Sequence, residues 1–154
     1  MNPAHLHLML NHIPVLGTAF CMALVGWALI QKSEELKRVS LGAFVIVALL
    51  AIPAYLTGEP AEEVIEHLPG VSKATIEEHE DAATFAFAGV LAVGVAASGG
   101  LVFHWRAKPA PNWIVVVVLV LSVIVFAMMI RTANLGGLIR HPELRSDFRA
   151  QQTE

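Results

Sequence analysis

Charge is scarce in this sequence. Asp, Glu, Lys and Arg make up 15% of its 154 residues, where soluble domains carry about 25%. So few charges exclude a disordered chain, a coiled coil and most ordinary soluble enzymes. Cysteine is nearly absent as well. The single Cys21 lies inside an apolar stretch, so no internal disulfide, no Cys-x-x-Cys-His attachment of a c-type haem and no four-cysteine cluster can form. A lone cysteine in such a place behaves as a small buried hydrophobe. The formal net charge is −3 and no Lys/Arg-rich run exists, which excludes nucleic acid as a partner. His-Glu-x-x-His, Gly-x-Ser-x-Gly and phosphate-loop patterns are also missing. Ile76 and Val64 stand three residues before His79 and His67, so the Glu-x-x-His pairs of a di-iron bundle are absent too.

What the sequence has instead is apolar length. Hydrophobic residues reach 56%, the mean hydropathy is +0.64, and four windows approach the roughly 20 apolar residues that cross a hydrocarbon core. These windows are 13–30, 39–56, 82–103 and 113–130, the last interrupted only by Ser122. A backbone in lipid must satisfy its own polar groups, so these runs predict an all-α, four-transmembrane-helix bundle. It is expected to form a single integral membrane domain over 1–154, with spans near 5–30, 39–57, 76–105 and 112–134. Asn2-Pro3 reads as an N-cap followed by proline in the first turn, which starts the first helix near Pro3 and leaves Pro14 to kink it. No basic region precedes this run, so it reads as a permanent span and not a signal peptide. Pro53 is expected to bend the second span.

The connections differ in charge. Linker 31–40 carries Lys32, Lys37 and Arg38, and linker 104–112 carries Arg106 and Lys108. Segment 57–81 carries Glu59, Glu62, Glu63, Glu66, Glu77, Glu78, Glu80 and Asp81 against Lys73 alone. The positive-inside rule then places both termini and the acidic segment outside, in a bacterial inner membrane. Arg131, Arg140, Arg145 and Arg149 in the C-terminal part oppose that reading by raw count, whereas the density of charge in the short linkers favours it. Within the acidic segment, Val64, Ile65 and Leu68 at helical spacing before Pro69-Gly70 predict a short interfacial helix over 60–68. Thr75 to Glu78 reads as a capping box that starts the third helix near Ile76.

Histidine is abundant and unevenly placed. Of seven, His5, His7, His12, His67, His79 and His141 map to the acidic side, and only His104, beside Trp105, to the other. His12 and His79 stand at the same membrane depth on the first and third helices. Ala82, Ala83 and Ala86 continue the face of His79, leaving room for a flat macrocycle or for plain close packing of helices. Histidine pairs on facing transmembrane helices are a way to hold haem b, so His12 and His79 are the candidate axial ligands. Arg131 and Arg140 are candidate partners of the haem carboxylates, or simple headgroup anchors. His5 lies on nearly the face of His12. With His7, His67 and His141 it forms a reserve set for a second haem or a metal, or a set of solvated interfacial residues. Glu62, Glu63, Glu66 and His67 together offer a surface zinc or copper site, or merely a solvated acidic face.

Three stretches resemble a predicted four-span bacterial membrane protein family, domain of unknown function 2231. They are LHLMLNHIPVLG at 6–17, with His7 and His12 five apart, the histidine His79 opening the third span, and TANLGGLIRH at 132–141. Similar sequences often carry histidine where this chain has Asn134, so a ligand at that position is missing here. The resemblance implies the four-span layout and a likeness to small haem-binding membrane cytochromes, without assigning an activity.

The expected function is a membrane b-type cytochrome, or the anchor subunit of a redox complex, passing electrons to a partner protein or quinone. The chain would then act within the bilayer as an oligomer or as part of a larger assembly, and perform no substrate chemistry itself. The other reading is a cofactor-free structural or assembly subunit. The orientation has a direct check. A cysteine introduced at Ser72 should react with an impermeant maleimide added outside intact cells, and one at Ser33 should not; the opposite pattern inverts the topology.

Overall fold

The computed structural model describes residues 2–106 and 109–145; Lys108 and Arg149, counted above among the basic residues, lie outside them. Among the described residues there is no strand. The helices are α1 (Pro3–Leu10), α2 (His12–Ile30), α3 (Glu34–Leu56), α4 (Gly58–Ile65), α5 (Lys73–Trp105) and α6 (Asn112–Arg140), followed by a 3-10 turn at Pro142–Leu144. Joined across their breaks, α1–α2 and α3–α4 combine with α5 and α6 into four segments long and apolar enough to cross a membrane.

Local chemistry accounts for the helix boundaries. Asn2 caps α1, its side chain accepting from the Ala4 N–H at 2.9 Å, and Pro3 follows in the first turn. The first span breaks at Asn11, three residues before the kink expected at Pro14. Pro14 has no N–H for the Leu10 carbonyl and its ring crowds that carbonyl, so the ladder fails one turn upstream. α3 continues through Pro53 to Leu56. Where a short interfacial helix was expected over 60–68, α4 starts at Gly58, ends at Ile65 and follows α3 across Thr57 as part of one apolar segment. Ala61 is its buried residue, while Val64 and Leu68 are exposed. α5 begins at Lys73, not near Ile76, because Ser72 has the extended backbone of a cap and its hydroxyl accepts from the Thr75 N–H.

Helices α2, α3, α5 and α6 form a closed ring in which each touches the next and α6 returns to α2. Its core holds Cys21, Val25, Phe44, Val47, Val90, Val93, Val118 and Val125. Only 22–39% of each apolar window is buried, and Phe20, Ile46, Leu49, Phe85, Val95 and Ile124 point outward. A helix apolar on every side needs an apolar surrounding for the sides its neighbours do not cover.

Glycines set the spacing. A Cβ on Gly94 would stand 2.5 Å from the Ala48 Cβ, one on Gly89 2.8 Å from Val125, and one on Gly17 2.8 Å from Val47. These positions let backbones approach as side chains elsewhere do not. Gly94→Ala should therefore destabilise the protein by about 1–3 kcal/mol. Gly99 has nothing within 4 Å of its missing Cβ, so Gly99→Ala should leave the midpoint unchanged or raise it. Thermal unfolding in detergent micelles measures both.

Candidate functional site

Where α1 ends, the chain has brought three distant stretches to one end of the bundle. α1 packs on α4 and on α3, and it carries His7 to the last turn of α3. The Nδ1 of His7 lies 3.1 Å from the Ala54 carbonyl oxygen and 3.1 Å from the Thr57 hydroxyl. That hydroxyl spends its own hydrogen on the carbonyls of Pro53 and Ala54, at 3.0 and 2.9 Å. Both partners of Nδ1 are therefore acceptors, and the hydrogen must sit on Nδ1. The Ala54 carbonyl is open because the helix ends within a turn of it, so no helical N–H claims its outer lone pair.

The same arrangement recurs on the opposite wall. His79, half-buried near the start of α5, has its Nδ1 3.0 Å from the Thr132 carbonyl oxygen on α6. A mid-helix carbonyl has a spare lone pair, but a side chain usually covers it. Here the residue one turn on is Gly136, whose missing Cβ would stand 3.2 Å from the Cε1 of His79. Gly58 likewise faces the His7 ring, its missing Cβ 3.8 Å from Cε1. Neither Nε2 has a hydrogen-bond partner among the described residues.

An imidazole that donates from Nδ1 to a carbonyl presents its lone pair at Nε2, the arrangement that fixes histidine as a metal ligand. Among the described residues no three or more His, Cys, Asp or Glu side chains gather where they would hold a metal ion. The pair offers two nitrogen ligands and no third. That set suits a metal whose other positions are already filled, as in a haem, better than bare zinc.

The remaining candidates fall elsewhere. His12, which the spacing had paired with His79, is exposed, and its Nδ1 lies 2.8 Å from the Leu8 carbonyl of its own span. His5 is exposed. His67 is exposed with its Nε2 3.2 Å from Glu66. The exposed His141 meets Glu143 at 3.0 Å. Hydrogen bonds from its own backbone N–H and from His141 hold the Glu143 carboxyl below the usual range. Arg140 is exposed. Arg131 is exposed too and, with Ala82, Phe85 and Met128, lines a hollow of about 140 Å³ between α5 and α6. Ala82 and Ala86 are buried, and Ala86 belongs to the core, so this face serves close packing. His104 stands at the other end, its Nε2 buried without a partner among the described residues.

Sequence reasoning passed over Thr57, Thr132, Gly58 and Gly136, the residues that hold and accommodate the rings. The Gly136-Gly137 pair late in an apolar helix was their one visible trace. Comparison with family models, curated proteins and solved structures found no match to this chain.

The tautomers are measurable. In the neutral protein, ¹⁵N shifts of labelled histidine should report protonated Nδ1 and unprotonated Nε2 for His7 and His79. Thr57→Val should disturb His7 alone. The inverse tautomer at both rings would remove the ligand geometry.

Proposed function

We propose that this chain is a small multi-pass membrane protein that holds a b-type haem between His7 and His79 and serves as an electron-transfer protein or as the anchor of a redox complex. The observation that carries this reading is the pair of Nδ1 bonds to carbonyl oxygens, which leaves the Nε2 of each ring without a partner among the described residues. A haem held there supplies one-electron chemistry.

The chain's own residues supply position. Ala54, Thr57 and Thr132 fix the ring orientations and tautomers. Gly58 and Gly136 keep side chains away from the ring edges. Arg131 and Arg140, at the same end of α6, are the donors we assign to the haem carboxylates; a guanidinium pairs with a carboxylate through two parallel hydrogen bonds. The apolar core fills the bundle below the histidines, so a haem held there would exchange electrons with a quinone or a partner protein at the near membrane face. In the same reading the chain sits in a bacterial inner membrane with both termini outside, α4 lies at the interface, and the protein works as an oligomer or subunit. The three blocks that resemble family 2231 fall on α1–α2, on His79 and on the end of α6.

A visible spectrum of protein purified from haem-supplied cells tests the reading. Wild type should show a low-spin haem, His7→Ala and His79→Ala should each abolish it, and His12→Ala should retain it. Haem retained in the first two variants but lost in the third would restore His12 as ligand. A wild type without haem would leave the cofactor-free assembly subunit as the function.

A further inference from the structure

The opposite end of the bundle carries chemistry that the histidine site does not use. A hollow of about 430 Å³ opens between the α2–α3 turn and the start of α6, with Lys32, Glu34, Lys37, Pro109, Pro111 and Asn112 among its walls. Lys37 is 3% exposed, and a lysine so deep must be paired. Its Nζ donates to Glu34 Oε1 and to Asn112 Oδ1, both at 2.6 Å. An ammonium has three donors, so one N–H of Lys37 has no protein acceptor among the described residues.

Lys32 supplies an independent observation. The end of α2 closes with the Ser33 N–H bonded to the Ala28 carbonyl and the Lys32 N–H to the Leu29 carbonyl. This is the Schellman arrangement, whose left-handed position is ordinarily glycine. Here it is Lys32, at φ 52, alone among the described non-glycine residues in having a positive φ. A lysine in place of glycine at this position carries some backbone strain and sets its ammonium at the mouth of the hollow. The first N–H groups of α6 add to the field, since Pro111 at the cap offers them no side-chain acceptor. Glu34 is the one carboxylate on the hollow among the described residues, and Lys37 already holds it. Two lysines against one glutamate leave a net positive charge.

We infer that this hollow binds a phosphate group, held by the Lys32 ammonium, the third N–H of Lys37 and the open start of α6. Donors on three separate segments suit a tetrahedral group with several oxygens, where a planar carboxylate would engage fewer of them. The phosphate is either that of an anionic lipid headgroup or a free ion, and the experiment separates the two.

Thermal unfolding of the full chain in detergent micelles is measured with phosphatidylglycerol, with diacylglycerol, and with inorganic phosphate at constant ionic strength. Phosphatidylglycerol should raise the midpoint and diacylglycerol should not. Lys32→Glu should weaken the response about tenfold or more, whereas Arg106→Glu, exposed at the same end but outside the hollow, should preserve it. Lys32→Gly relieves the left-handed backbone, so it should raise the midpoint without ligand and still lose the phosphate response. If inorganic phosphate reproduces the effect and Lys32→Gly removes it, the site takes free phosphate; if only phosphatidylglycerol does, it takes a lipid headgroup. No response to either probe, or equal losses in Lys32→Glu and Arg106→Glu, overturns the site.

Discussion

Between helices already surrounded by apolar groups, the hydrophobic effect supplies little attraction, so association rests on how closely backbones can approach. That constraint runs along α5. Gly89 admits Val125 of α6, Gly94 admits Ala48 of α3, and Gly100 admits Leu41 and Ile114. On the far side of the ring, Gly17 of α2 receives Val47 of α3. Each contact places a neighbour where a Cβ would otherwise stand, and together they fix the relative heights of the helices. Polar groups at the two ends meet only because these heights are fixed.

The ends solve different problems with the same backbone chemistry. At the histidine end, the chain breaks helices to free carbonyl oxygens. Asn11 interrupts the first span and Thr57 interrupts the second, and the freed Ala54 carbonyl meets His7. At the lysine end, the chain closes helices tightly and leaves N–H donors short of acceptors, at the start of α6 and on the buried Lys37. One end therefore collects acceptors that orient neutral imidazoles, and the other collects donors that favour an anion. The ion pairs Lys37–Glu34 and Arg38–Glu35 lie in the first turns of α3, where the glutamates also complement the helix dipole.

Contacts of Tyr55 tie the C-terminal part of α3 to α5. Tyr55 and Phe87 stack with centroids 4.3 Å apart and planes 5° from parallel, and the Tyr55 hydroxyl meets Thr84 at 3.0 Å. On the tail side, the Arg145 guanidinium donates to the Gly70 carbonyl at 2.8 Å, joining the segment after α6 to the turn before α5. The histidine end is thus braced on both sides of α5, which keeps His79 in reach of α6.

Hydropathy is a local property, so the four apolar segments, the all-helical class and the Asn2-Pro3 start were legible in the sequence. The gathering of histidines at one end was legible too, since span parity alone decides which ends share a side. Which histidine of the first span turns onto the bundle was not. Linear spacing favoured His12, but the missing Pro14 N–H breaks the span at Asn11, and the ring that then reaches the bundle end is that of His7. The open Thr132 carbonyl that meets His79 and the Asn112 partner of Lys37 are likewise matters of position between segments far apart in the chain. A residue's type states what it can donate or accept, while only the packed helices decide which groups come within three ångströms of one another.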